Sequence, residues 1–391
     1  MDLSIYFNPV AIEGYQDQQT DQEARLGHII KCHDSASNFP SLSKVHIALI
    51  GVEDDRAAVN NEGCANAPNA VRQKLYALFS GDYKARIIDL GNIKAGHEIN
   101  DTYYALTEVV TELIERKILP VIIGGGQDLT FANYKAYEKL QQIANIVSID
   151  SQFDLGQDND RLHSQSYLSK IILNQPNFLF NYTNIGYQTY FVSQDAIRLI
   201  DKLFFDSYRL GQVRKDVQEV EPMVRNADML SFDIGAVRQS DAPGNKNAGP
   251  HGFYGDEACQ ICWYAGMSDK LTSLGFYEYN PMYDPQGHTA HLIAQMIWYV
   301  FEGFYNRKGD FPIKTISRYM KYMVQVEGHS QDLVFYKSKE SERWWMEVIN
   351  ADNIKAEFKR HYIIPCSPKD YDMALQNEIP DRWWQAYQKL M

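Results

Sequence analysis

The stretch Leu119-Pro-Val-Ile-Ile-Gly-Gly-Gly-Gln-Asp128 decides how this chain reads. Its apolar run of five is a strand buried on both faces, and it stops at glycines that let a backbone turn sharply or approach another group closely. A helix from about Thr130 to Gln142 follows. Asn145-Ile-Val-Ser-Ile149 then gives the next strand, ending at Asp150. Upstream, Val45-His-Ile-Ala-Leu-Ile-Gly51 and Arg86-Ile-Ile-Asp-Leu90 are similar runs. Helical spacing follows each, over Ala67–Leu75 (with proline in its first turn) and Asp101–Arg116. Downstream, Asn184–Gly186, Asp228–Phe232 and Gly275–Tyr279 read as strands, and His288–Asn306 as a long closing helix. Short apolar runs alternating with helices predict an α/β fold with a mostly parallel sheet.

Ligands of such sheets sit beyond the carboxyl ends of the strands. The polar residues placed there are Gln127, Asp128, Asp150, Gln152, Asp154, Asp233 and Glu278. In Asp150-Ser-Gln-Phe-Asp154 alternate side chains point one way, so Asp150, Gln152 and Asp154 can converge. Competing readings of the triple glycine fail. A dinucleotide G-x-G-x-x-G needs glycine where Leu129 stands, and no phosphate-loop Lys-Ser/Thr follows.

Composition limits the function classes. Thirty-eight Lys and Arg against fifty Asp and Glu leave a net charge of −12, which argues against a nucleic-acid partner held by net charge. No run of about 18 apolar residues spans a membrane. The first residues lack the basic and apolar regions of a secretory signal, so a cytoplasmic location is expected. Five cysteines do not make a disulfide framework. Cys259 and Cys262 form a C-x-x-C inside a helical segment, which reads as two small core residues on one face. After about Arg307 the texture changes. Tyr319–Val326 and Leu333–Tyr336 read as a hairpin through the turn residues Glu327–Asp332. Trp344-Trp345 and Trp383-Trp384 concentrate aromatic surface there. They serve either as the core of a small cap or as an interaction surface for a protein partner.

Three motifs together resemble the ureohydrolase family of arginases, agmatinases and formimidoylglutamases. That family carries a G-G-x-H turn, a D-A-H-x-D strand end and an S-x-D-x-D strand end. This chain has Gly124-Gly-Gly-Gln127, Asp150-Ser-Gln-Phe-Asp154 and Ser231-Phe-Asp-Ile-Gly235 in the same order. Gly51-Val-Glu-Asp-Asp55, Glu62–Arg72, Ile88-Asp-Leu-Gly91, Glu278-Tyr-Asn-Pro281 and Asp284–Ala290 extend the likeness. Asp241-Ala-Pro-Gly244 looks closer to the formimidoylglutamase branch than to the arginases. The resemblance implies a three-layer arginase-like fold with a mostly parallel central sheet over residues 40–306. An N-terminal segment, 1–39, precedes it, and a small α+β, aromatic-rich extension, 307–391, follows.

The resemblance also implies a pair of manganese ions held by two histidines and four aspartates. Here the corresponding positions are Gln127, Asp150, Gln152, Asp154, Asp233 and Gly235. Both histidines are glutamine, and one aspartate is glycine. A neutral amide oxygen is a weak ligand beside imidazole. The expectation is therefore a binding or assembly protein that has lost binuclear-manganese hydrolysis and holds no cofactor, with Arg161 or Arg238 filling the vacated volume. One alternative is an active hydrolase of linear amidine C–N bonds. There Asp150, Asp154 and Asp233 would hold Mn²⁺, Mg²⁺ or Ca²⁺ at a weakened site, and Glu278 would hold the cationic end of the substrate. Another is a scaffold that recruits a partner through its C-terminal extension. The family likeness also implies a homo-oligomer. His163, His251 and His288 are read as solvated or structural.

Overall fold

A computed structural model describes residues 2–10, 24–84, 86–156, 161–311, 316–328, 332–349 and 358–390. Its centre is a ten-stranded sheet. The principal strands are β1 (Ile47–Val52), β2 (Ile87–Ile93), β3 (Leu119–Ile123), β4 (Ala144–Ile149), β5 (Leu179–Tyr187), β6 (Asp206–Arg209), β7 (Met229–Asp233) and β8 (Ser273–Tyr277). They lie side by side in the order β2-β1-β3-β8-β7-β4-β5-β6, and every neighbouring pair among them is parallel. Phe7–Asn8 adds an antiparallel edge to β2, and Lys31–Cys32 pairs with β2 in parallel.

Alternation of side chains across the sheet builds two cores. Leu49, Val121, Val147, Leu230 and Leu274 face α1 (Ala67–Leu75), α7 (Gly255–Met267) and α8 (His288–Tyr305). On the other side, Ile50 and Ile122 pack against α2 (Ile99–Glu115) and α3 (Leu129–Lys139). Ile146, Tyr182 and Met229 meet Tyr137 of α3, Ile171 of α4 (Tyr167–Leu173) and Ile200 of α5 (Gln194–Lys202). This is the expected three-layer arrangement, with helices on both faces of a mostly parallel sheet. Cys259 and Cys262 are free, buried residues of α7, as the helix reading expects. No helix among the described residues is long and apolar enough to cross a membrane.

The predicted hairpin exists as β9 (Tyr319–Val324) and β10 (Leu333–Ser338), paired antiparallel with Tyr322 opposite Phe335. Residues 329–331 of its connection lie outside the described residues. Two further strands, β11 (Trp344–Glu347) and β12 (Ile363–Cys366), complete an antiparallel sheet of four. Helices α9 (Pro368–Leu375) and α10 (Asp381–Leu390) follow. Trp345 and Trp383 are buried in this unit, whereas Trp384 is exposed. The aromatic pairs therefore act mainly as core.

Polar anchors fix this second sheet to the first layer. Arg225, at the end of α6 (Val220–Arg225), donates to the carbonyls of Trp344 at 3.0 Å and Cys366 at 3.2 Å. Its guanidinium lies 4.3 Å from the Trp345 ring centre. Lys389 reaches Asp206 on the edge strand at 2.8 Å, and Arg360 reaches buried Asp228 at 2.8 Å.

Candidate functional site

The four central strands β3, β8, β7 and β4 are consecutive neighbours, and their carboxyl ends are nearly level. Phe276 pairs with Ile123, Tyr277 with Asp233, and Phe232 with Ile149. Asp150 thus emerges beside Asp233, and Glu278 one residue above Tyr277. With strands about 4.8 Å apart, residues distant in sequence meet at one rim.

The turn after β3 fixes the first member. Gly124 and Gly125 have φ of +99° and +72°, and a Cβ on Gly125 would lie 2.5 Å from the Asp54 carbonyl oxygen. This backbone lets the Gly125 carbonyl accept from the Glu278 N–H at 3.0 Å. In return, the Gln127 N–H donates to Glu278 Oε1 at 2.9 Å. Asn61 Nδ2 donates to Glu278 Oε2 at 2.7 Å and to the Glu278 carbonyl at 2.9 Å. Asn61 carried no motif signal in the sequence, because its role depends on a loop far away along the chain.

The Gln127 amide donates to Ser231 Oγ at 3.2 Å and Tyr167 Oη at 3.4 Å. Asp150 Oδ1 accepts from the Gln152 N–H at 2.9 Å, and Asp233 Oδ1 from the Gly235 N–H at 2.7 Å. Asp150 and Asp154 lie close enough for each to act on the other's protonation. Asp150 Oδ2 and Asp154 Oδ2 are buried without a hydrogen-bond partner. Asp154 and Glu278 both adopt left-handed backbone, at φ +52° and +66°. Such conformations cost non-glycine residues energy and collect at functional sites.

Electrostatics bind these residues into one cluster. Burial, above all, pushes the Glu278 carboxyl up to about 7, with Asp150 adding to the rise. Burial also raises Asp150. Asp154 rises well above the usual carboxylate range through burial and then through Asp150, Asp233 and Glu278. Asp233 behaves alike, through burial, Asp150 and Glu278. Neighbouring Asp128, which accepts from Tyr103 Oη at 2.7 Å, is pushed up to about 7 by burial, with further contributions from Glu278 and Asp54. Like charges withdrawn from water cannot all ionise together.

Neither expected arginine supplies the counter-charge. Arg238 is held by Asp241 at 2.8 Å and lies 3.9 Å from the Tyr254 ring centre. Arg161 is exposed on its loop. Short loop tethers and an aromatic face outside the cluster satisfy Arg238, so its cation has no reason to enter.

Asp154 and Gln152 open onto a pocket of about 310 Å³ whose wall includes His163, Phe191 and Val192. His163 is half-buried there, its Nδ1 accepting from the Gln165 N–H at 3.2 Å. His251 is exposed, and its carbonyl accepts from Gln188. His288 begins α8, with its N–H on Asp284 at 2.8 Å.

The Arginase family model matches residues 45–302. The chain belongs to the arginase family. Among curated arginase-family relatives, formimidoylglutamase from Photorhabdus laumondii is 24% identical over 322 residues, spanning 78% of this chain and 100% of the relative. The Staphylococcus epidermidis enzyme is 26% identical over 296 residues, 73% of this chain and 95% of the relative. Among solved structures, Bacillus subtilis formimidoylglutamase aligns with a TM-score of 0.66 at 18% identity, covering 75% of this chain and 95% of that one. Trypanosoma cruzi formiminoglutamase with two Mn²⁺ aligns at 0.63 and 20% identity, covering 69% and 97%. This arginase-family chain is thus formimidoylglutamase-like. The manganese pair in a structure of the same fold overturns the expectation, drawn from the changed ligand positions, that no cofactor is involved.

Proposed function

We propose that this chain is a formimidoylglutamase-like hydrolase of linear amidine C–N bonds with one divalent cation in place of a pair. One observation carries the proposal. Buried Asp150, Asp154 and Glu278 and half-buried Asp233 gather at or just beyond adjacent strand ends, and the strongest charges acting on them are one another.

A divalent cation would remove that repulsion. Unpaired Asp150 Oδ2 and Asp154 Oδ2 are hard oxygen donors, as is Asp233, and they suit Mn²⁺, Mg²⁺ or Ca²⁺. A second ion does not fit the donor set. Gln127 spends its amide N–H groups on Ser231 and Tyr167, Gln152 offers only a neutral amide, and Gly235 presents an N–H that bonds to Asp233. The side chains are not drawn into a closed cage: no group of three His, Cys, Asp or Glu among the described residues surrounds one point.

When bound, such a cation supplies Lewis-acid polarisation and makes a bound water more acidic. The chain's own groups do the remaining work. Glu278, oriented by the Gln127 N–H and Asn61, presents a fixed carboxylate to a cationic amidine. Burial around it strengthens that attraction over its value in water.

A second reading, binding without turnover, is favoured by Gln127, Gln152 and Gly235, which remove three donors from the family pattern. Ammonia, formamide or urea release from formimidoylglutamate, agmatine and arginine separates the two. Manganese-dependent release that falls at least a hundredfold in Asp154→Ala supports hydrolysis. Tight binding of an amidine with no product supports the second reading. Homo-oligomeric assembly, implied by the family likeness, belongs to either reading and is measured by sedimentation.

A further inference from the structure

His361 stands at the seam between the C-terminal unit and the main sheet, just before β12. It is 1% exposed, and its ring lies against Phe180 of β5, with 4.1 Å between centres and 17° between planes. Neither ring nitrogen has a well-aligned hydrogen-bond partner among the described residues. The Ile143 backbone, just before β4, is the one neighbour that favours a charge on the ring.

The charges that act on this imidazole are both positive. Lys270 comes from the loop between α7 and β8, and Arg360 from the histidine's own segment. Other groups hold both cations in place. Arg360 donates to Asp228 Oδ1 at 2.8 Å. Lys270 donates to Asn226 Oδ1 at 2.8 Å and lies 3.7 Å from Asp228 Oδ2. Asp228 also accepts from the Asn145 N–H at 2.9 Å, so this carboxylate is spent on its own neighbours. Burial, and then Lys270 and Arg360, hold the His361 imidazole well below its usual range. Burial lowers Lys270 only to about 8, so it carries its charge where a histidine titrates. A proton on His361 would add a third positive charge in a space closed to water.

Separation of the two units would return the ring to water, where an imidazole titrates at about 6.5. The separated state then binds more protons below that pH. Seating is therefore fully supported above about 6.5 and weakens as pH falls.

We infer that His361 makes the seating of the C-terminal unit on the main sheet pH-dependent: the neutral imidazole lets the unit seat, and the imidazolium releases it. The inference is independent of the hydrolase reading. Asp228 lies just before β7 and Asp233 ends it, so this latch and the carboxylate cluster occupy opposite rims of the sheet.

The test is hydrogen exchange by mass spectrometry on the full chain, comparing β12 with β3 and dividing each rate by its intrinsic value. From about pH 7 to about pH 5.5, release of one imidazole raises the opening constant of β12 about eightfold. The β3 constant is expected not to rise. His361→Phe keeps a stacked ring that cannot take the proton, and it is expected to abolish the β12 rise. Proton NMR of the unsubstituted chain gives a second reading: the His361 ring is expected to remain neutral at about pH 5.5. A β12 constant that does not rise, rises as much in His361→Phe, or rises together with β3 overturns the inference. So does a His361 ring that titrates at about 6.5 in the intact protein.

Discussion

The Gln127 backbone N–H donates to the carboxylate of Glu278 at 2.9 Å. This bond joins a retained carboxylate to a position where the arginase family's pattern has a histidine. Gln127 therefore keeps a structural role through its backbone, whatever its side chain contributes to a cation. Glu278→Gln should weaken guanidinium binding at least tenfold while lowering manganese affinity far less than Asp154→Ala. Parallel titrations with manganese and n-butylguanidinium read the difference.

The contribution of this carboxylate cluster to the stability of the metal-free protein should fall as pH rises from about 4.5 to 8. The folded-state pKa of Glu278 is raised to about 7 from 4.5, so the unfolded chain ionises first and binds fewer protons across that interval. The raised Asp150, Asp154 and Asp233 act in the same direction. Manganese should flatten the profile by stabilising the ionised forms. Thermal melts with chelator and with Mn²⁺ across this range check it, and a manganese stabilisation that does not grow with pH would contradict it.

Restoring the family's donors should restore the second ion. Gly235 has no positive φ, and a Cβ there would meet Asp233 Oδ1 at 3.1 Å, so a side chain needs only a small adjustment. Gln127→His, Gln152→His and Gly235→Asp together should raise the manganese stoichiometry from one to two per chain. Elemental analysis after dialysis measures it.

Gly125→Ala should cost about 2 kcal/mol or more, because it imposes a left-handed φ on alanine and a clash with the Asp54 carbonyl. Its chemical-denaturation midpoint should fall. Guanidinium affinity should fall with it, since the Gly125 carbonyl positions Glu278.

Arg225→Ala should destabilise the protein by about 3 kcal/mol, as expected when one partner of a buried ion pair is removed. It also strips donors from the Trp344 and Cys366 carbonyls. Limited proteolysis should then cut within the C-terminal sheet before the main sheet.

Much of the main sheet was legible because its strands are short, fully buried runs such as Leu119–Ile123, whose apolar pattern has no competing reading. The strand ends were legible for the same reason: a carboxylate directly after such a run must sit at the rim. Strand β5 extends well beyond the expected Asn184–Gly186, because Asn181, Thr183 and Asn184 interrupt its apolar pattern. In the fold, Asp206 and the Gln152 carbonyl accept from the donors of those side chains. Edge strand β6, Asp206–Arg209, has no apolar signal. The last helix is marked only by the helical spacing of Trp383, Ala386, Tyr387 and Leu390. Their partners on β10 and β12 come from distant sequence. Glu278 was placed at the rim, but its bond to Asn61 was not, since loop-to-loop contacts leave no periodic trace. The arginine replacement failed because Asp241 and Tyr254 offered Arg238 a nearer home.

The central claim is that the three aspartates hold one catalytic divalent cation. Its most direct measurement is manganese stoichiometry and product release on the same purified sample, compared with Asp154→Ala. One manganese per chain with manganese-dependent amidine cleavage, both lost in Asp154→Ala, is the predicted result. No retained manganese and no product from any amidine, with the protein folded, would contradict it.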